Sequence, residues 1–246
     1  MFSASNWNAL AEFDPLWTIL SEPDKKFGKW NREEFFSSGA REAQRVLAIC
    51  KANSIDISFD RFLDFGCGVG RMTRGFSGFF QSGVGLDVSE KMISLARQFN
   101  PEVKHCEFVA NQSAVLPFAN ESFDFVFTVL VLQHLPSKDL ILTYIAEFVR
   151  VTKKNGVVVF QLPIRVPLRR RVQLRRRLWS VLSFLRVPQR WQFESLGLAP
   201  IKINGISRKN IEAFMAARGA RIRAVEWYDS SEGKFYSNYY LAVKSR

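Results

Sequence analysis

Along the first 60 residues the apolar positions recur at helical spacing. WNALAEFDPLWTIL places Trp7, Leu10, Phe13 and Leu16 near one face around Pro15. NREEFFSSGAREAQRVLAICKAN does the same with Phe35, Phe36, Ala40, Ala43, Val46, Leu47 and Cys50. From residue 61 short apolar runs alternate with amphipathic stretches. RFLDF reads as a strand and RMTRGFSGFF as a helix, GVGLDV as a strand and EKMISLARQF as a helix with Ser89 as its N-cap. VKHCEFVA and SFDFVFTVLVL read as strands and DLILTYIAEFVRVT as a helix, with NGVVVFQLP a strand opened by an Asn-Gly turn. SRKNIEAFMAARGA reads as a helix capped by Ser207 and stopped by Gly219. RIRAVEWYDSSEGKFYSNYYLAVKS reads as two strands joined tightly enough to be antiparallel. Strands alternating with helices predict an α/β fold with a mostly parallel, doubly wound sheet, covered on both faces. The chain divides into a helical N-terminal extension over 1–60 and an α/β domain over 61–246, with a helical insert at 163–200.

One stretch breaks the pattern. RFLDFGCGVGRMTR carries glycines at 66, 68 and 70, each worth about 1 kcal/mol against alanine in a helix interior. Bare backbone is required for something else: a tight strand-to-helix turn whose N–H groups approach a ligand at the carboxyl ends of the strands. The spacing is G-x-G-x-G. A dinucleotide fingerprint would have its third glycine where Arg71 stands, and no P-loop pattern is present. Asp64, inside the first strand, would repel a phosphate and suits an ammonium group. Asp87, ending the second strand, can accept hydrogen bonds from ribose hydroxyls. An amino-bearing nucleoside with free ribose hydroxyls and no phosphate describes S-adenosylmethionine.

LDFGCGVGR, GLDVS, LPFANESFDFVFTVLVLQHLP and VRVTKKNGVVVFQ, running in this order from about Phe62 to Leu162, resemble the motifs of class I S-adenosylmethionine-dependent methyltransferases. The terminal helix and hairpin resemble that family's closing antiparallel strand. The resemblance implies a seven-stranded sheet of order 3-2-1-4-5-7-6 and S-adenosylmethionine as cofactor, leaving S-adenosylhomocysteine as product. It implies Asp64, Gly66 and Gly68, with Cys67 between them, at the methionine end, Asp87 on the ribose and Val88 on the adenine. Many relatives carry an acid after the third strand for the adenine amino group. Asn111 and Gln112 stand there in this chain, and an amide oxygen can accept the same bond. Arg71 either joins a solvated or paired face or meets the cofactor carboxylate.

Composition and charge narrow the partners. A chain of 246 residues buries roughly 70% of its unfolded surface, enough for a two-sided core without disulfides. Cys50, Cys67 and Cys106 are an odd, sparse set without metal spacing, which predicts a reducing compartment, the cytoplasm, and no metal. No leader pattern opens the sequence, and no window reaches 18 apolar residues. The net charge of +12 is local: 12 of the 35 basic residues lie between Phe148 and Phe193, a stretch without Asp or Glu. The remaining 23 bases face 23 acids. Within that stretch Leu174, Leu178, Val181, Leu182 and Leu185 form a helical stripe among Arg169–Arg171 and Arg175–Arg177. It reads as a basic face with a docked stripe, or as a surface for an anionic substrate or an anionic membrane through Arg165–Arg190. Nucleic acid fits less well, because TVLVLQHLP replaces the (D/N)PP(Y/F) motif with which amino-methylating nucleic-acid enzymes of this fold hold a base.

His134, after the fourth strand, is either a helix-start residue or a general base facing the methyl acceptor. The aromatic N-terminus (Trp7, Trp17, Trp30, Phe35, Phe36) is core for the extra helices or a lid that excludes water. The expected activity is methyl transfer to an oxygen, or less favourably a nitrogen, of a small-molecule, lipid-linked or saccharide-linked acceptor. The competing readings are an RNA methyltransferase using the arginine insert and an inactive module that docks on a membrane or partner.

Overall fold

The computed structural model describes residues 4–165, 174–198, 203–228 and 236–245. The arginine triplet 169–171 and the expected hairpin turn near 229–235 lie outside the described residues. Seven strands form one sheet in the order β3-β2-β1-β4-β5-β7-β6, the predicted order. β1 (Arg61–Phe65), β2 (Ser82–Asp87), β3 (Cys106–Ala110), β4 (Phe123–Thr128) and β5 (Thr152–Arg165) are parallel. β7 (Tyr236–Lys244) runs antiparallel to both β5 and β6 (Ala220–Tyr228).

The central strands send alternate side chains to opposite faces. Leu63, Val126, Val158 and Phe160 meet α6 (Lys138–Val151) and α9 (Arg208–Ala216) through Ile141, Ile145, Phe148, Ile211 and Met215. Phe62, Phe125, Phe127, Val157 and Val159 meet α3 (Arg32–Ala52) and α4 (Arg71–Ser77) through Ala43, Val46, Met72 and Phe76. Burial on both sides is why these strands read as continuous apolar runs. Ser89 caps α5 (Glu90–Phe99), its hydroxyl accepting from the Met92 N–H at 3.1 Å. Ser207 precedes α9 as expected, but its side chain makes no capping bond.

Two predicted strand limits change. The run SFDFVFTVLVL ends as a strand at Thr128, and Leu130 takes a left-handed φ of 60°. The expected Asn-Gly turn before the fifth strand is a bulge instead. β5 starts at Thr152, and Asn155, with φ 64°, sits inside it, where pairing slips from Phe123↔Thr152 to Phe125↔Val157.

The N-terminal extension is packed onto the domain. Asp14 caps α2 (Pro15–Ile19), which follows α1 (Ala4–Phe13), and its second oxygen accepts from the Gly28 N–H at 3.0 Å. Leu10, Phe13 and Trp17 pack with Trp179 of α7 (Leu174–Phe184) and Phe193 of α8 (Gln189–Leu196). Lys26 fastens this join: it donates to the Phe193 carbonyl at 3.3 Å and lies over the Trp17 and Phe193 rings. Burial, then the nearby Arg175, lowers its pKa. Of the stripe expected to dock only Leu182 does, beside buried Trp179, while Leu174, Leu178, Val181 and Leu185 are exposed. The reason is geometric, since the large indole fills the space against the N-terminal helices.

α3 and α4 cross so closely that a Cβ at Gly39 would overlap the Arg71 carbonyl, and one at Gly75 would meet the Gly39 carbonyl at 2.6 Å. Alanine for glycine inside a helix ordinarily gains about 1 kcal/mol. At Gly39 the backbone clash reverses the sign. Gly39→Ala is expected to cost about 1–3 kcal/mol, read as a lower denaturation midpoint at unchanged slope.

Candidate active site

A cavity of about 380 Å³ opens at the carboxyl ends of β1, β2 and β4, within the size range of ligand pockets. Its walls come from the turn after β1 (Gly66, Gly68), the end of β2 (Leu86, Asp87, Val88), the segment after β3 (Asn111, Gln112) and the residues after β4 (Val129–Val131, His134, Leu135). Trp7, Thr18 and Ile19 close it from the N-terminal helices, and Leu140 and Tyr144 from α6.

The glycine turn explains the opening puzzle of the sequence. Gly66, Gly68 and Gly70 have φ of 75°, 54° and 85°, a region that side chains with a Cβ rarely enter. The turn is pinned to β2. Gly66 and Cys67 donate their N–H groups to the Leu86 carbonyl at 2.6 and 3.1 Å, and Gly68 donates to Asp87 Oδ2 at 2.9 Å. Asp87 Oδ1 accepts from the Ser89 N–H at 2.8 Å. Burial raises the Asp87 pKa, against the pull of these backbone donors. A Cβ at Gly66 would strike Val131 and one at Gly68 would strike Ile19, so both positions need glycine for space as well as for conformation.

The predicted site residues divide into two groups. Gly66, Gly68, Asp87, Val88, Asn111, Gln112 and His134 all line the cavity. Asp64, Cys67 and Arg71 are buried and are not among the residues that line it. The Cys67 side chain turns from the turn into a cluster with Ile93, Ala96 and Phe108, and burial raises its thiol pKa. Arg71 is buried in the first turn of α4 and reaches Ser38 of α3 at 3.4 Å, because Gly39 leaves room for it there. Asp64 accepts from the Thr73 hydroxyl at 2.7 Å. Burial pushes its pKa up to about 7, opposed by Thr73 and by the charge of Arg71.

The adenine-side pair also separates in role. Asn111 Oδ1 accepts from the Ser113 N–H at 3.2 Å and its amide donates to the Ser113 and Val115 carbonyls, so the side chain builds the turn. Gln112 is exposed at the cavity rim and is left to meet a ligand.

His134 is backed by a buried amide relay. The Leu130 N–H donates to Gln161 Oε1 at 3.0 Å, which leaves the Gln161 amide to donate to Gln133 Oε1 at 3.3 Å and to Ser237. Gln133 Oε1 being an acceptor, its amide is the donor to His134 Nε2 at 3.1 Å. The relay therefore puts the neutral ring's proton on Nδ1. Trp7 meets the ring edge-on at 5.9 Å. Leu130, with its left-handed φ, both anchors the relay and lines the cavity, a strained residue at a functional position.

Sequence reading missed Thr18, Ile19, Met92, Leu130, Leu140 and Tyr144 as wall residues. Only the aromatic N-terminus, read as a lid, pointed toward any of them.

Residues 63–160 match the profile of a methyltransferase domain. The chain is 32% identical over 109 residues to an uncharacterised methyltransferase of Schizosaccharomyces pombe, covering 40% of this chain and 38% of that protein. It is 26% identical over 155 residues to a demethylmenaquinone methyltransferase of Staphylococcus aureus, covering 62% and 56%. The chain thus spans about two fifths to just over half the length of these relatives. Among solved structures, magnesium protoporphyrin IX methyltransferase from Synechocystis with bound S-adenosylhomocysteine matches with a TM-score of 0.63 at 18% identity, over 98% of both chains. That likeness establishes the fold.

Asp64 yields a stability prediction. Its folded pKa of about 7 exceeds the ordinary 3.8. Between these values the folded state holds a proton that the unfolded chain has lost, so stability falls as pH rises from about 4 to about 7. Asp64→Asn removes this penalty. Its gain in Tm over the parent is expected to grow from pH 4 to pH 7 and then level off in thermal melts.

Proposed function

Because residues 63–160 form a class I S-adenosylmethionine-dependent methyltransferase domain, we propose that the chain methylates an apolar small-molecule or lipid-linked acceptor, at oxygen. The observation that carries this reading is one cavity that joins the glycine turn and Asp87 at one end to His134 among apolar walls at the other. When bound, S-adenosylmethionine supplies an electrophilic methyl group on its sulfonium. Asp87 holds the ribose hydroxyls with the lone pairs its backbone donors leave, Val88 packs on the adenine, and Gln112 accepts from its amino group. Gly66 and Gly68 give the methionine end its backbone approach. Asp64 acts one layer back, as a negative charge beneath the turn.

At the other end Leu130, Val131, Leu135 and Leu140 exclude water and fit an apolar body. No Lys or Arg lines the cavity among the described residues, which favours a neutral hydroxyl over a phosphate or carboxylate as the acceptor. His134 takes the hydroxyl proton. Catalysis otherwise rests on alignment of donor and acceptor in the cavity. One of the relatives is named as a demethylmenaquinone methyltransferase, a small-molecule enzyme.

Calorimetric titration with S-adenosylmethionine tests the cofactor end. Wild type should bind and Asp87→Ala should not. If an ionised Asp64 favours the cofactor ammonium, affinity rises about tenfold from pH 6 to pH 8, and Asp64→Asn abolishes that rise. No binding by folded wild type would overturn the reading. For the base, His134→Ala should lower kcat about 10²–10⁴-fold and remove the acid limb of its pH profile. An unchanged kcat across pH would remove His134 from the chemistry.

A further inference from the structure

The insert that packs on the N-terminal helices presents an apolar row to the outside. On α7 the inward residue is Trp179, packed on Leu10 of α1. The outward residues Leu174, Leu178, Val181 and Leu185 are 68%, 47%, 55% and 63% exposed, and Phe184 beside them is 87% exposed. At 100° per residue these four fall within a stripe about 60° wide. The Leu185 N–H still bonds the Val181 carbonyl at 3.0 Å, so the last of them continues the helix. Exposed Arg177 stands beside the stripe and exposed Arg186 follows it, while Arg175 on the other side donates to the Gly197 carbonyl at 2.8 Å. No acid lies between Phe148 and Phe193.

An apolar ridge with the exposed arginines 177 and 186 beside it and no carboxylate among them matches one kind of surface: apolar beneath, anionic on top. We propose that the outward face of α7 docks the protein on an anionic lipid bilayer, lying in the interface with its leucines among the acyl chains and its arginines at the headgroups. The helix lies on the membrane and does not cross it, since no helix among the described residues is long and apolar enough to span one. A ridge on one convex helix suits a fluid interface, which closes around it, whereas a protein partner would need a matching groove. Because the inner side of α7 packs on the same N-terminal helices that close the cavity, docking brings the acceptor chamber close to the lipid phase. The docking face is independent of the methyl-transfer reading, and its test does not use catalysis.

The test is flotation of the full chain with phosphatidylcholine vesicles, with and without phosphatidylglycerol, at low and high salt. Wild type should float with the anionic vesicles at low salt, float far less with neutral ones, and be released by salt. Leu178→Ser combined with Val181→Ser should lower the partition coefficient more than about tenfold, while helix content and Tm stay at wild-type values. Phe184→Ser, at the most exposed position, provides a second variant should the double one fold poorly, and should also weaken binding. Failure of wild type to float with anionic vesicles would overturn the proposal. So would variants that fold and float as well as wild type. A dimer in light scattering that the double variant converts to monomer, without vesicle binding by either, would assign the face to a second copy of the chain instead.

Discussion

Everything at the site hangs on the bond between the Gly68 N–H and the Asp87 carboxylate, and on the left-handed turn that makes it possible. Three glycines with positive φ let the chain leave β1, fold back toward β2 and enter α4 within five residues. The neighbouring N–H groups of Gly66 and Cys67 are spent on the Leu86 carbonyl, so β1 and β2 are tied together at the point where the cavity opens. A residue with a Cβ at 66 or 68 would lose the conformation and also collide with Val131 or Ile19. The same atoms thus set the backbone path, the separation of the two strand ends and the shape of the cavity floor.

Buried charge is arranged around this turn in layers. Asp87 faces the cavity and is held by backbone donors, while Asp64 lies behind the wall with Thr73 and Arg71 near it. A carboxyl buried this deeply destabilises the fold when it ionises, and Arg71 offsets part of that cost. Under the proposed function the Asp64 charge acts on the cofactor ammonium above the turn. Stability and binding then pull in opposite directions at one residue, as is common where function needs strain or unfavourable burial.

The second device is the closure of the acceptor end by parts of the chain far apart in sequence. α1 and α2 bring Trp7, Thr18 and Ile19 to the cavity, and they are held there from outside by Trp179 and Phe193 of the insert. Lys26 joins the two segments through a carbonyl and two aromatic faces. The extension and the insert therefore pack on each other, the extension lining the cavity and the insert turning a basic, apolar side outward.

The alternation of strands and helices, the glycine turn, the capping of α5 and the acids in β1 and at the end of β2 were legible in the sequence, because each depends on local chemistry: period, φ preference or a side chain within a few residues of its partner. The order of the strands pairs distant segments, and it was expected only from the resemblance to the methyltransferase family. What the sequence could not supply was direction. Cys67 and Arg71 sit beside cavity residues in the chain, yet the helical turn of α4 and the space at Gly39 send them the other way. The apolar run after Thr128 looked like more strand, but Leu130 turns left-handed to give its N–H to Gln161, and that bond orders the amides behind His134. The apolar stripe of α7 read either as docked or as a surface for an anionic partner, and only Leu182 of it packs inward, beside the larger Trp179. In each case the sequence determined which chemistry was available, and only the packing of distant elements decided which face of the backbone carried it, since that choice depends on the volume left by residues far away in the chain.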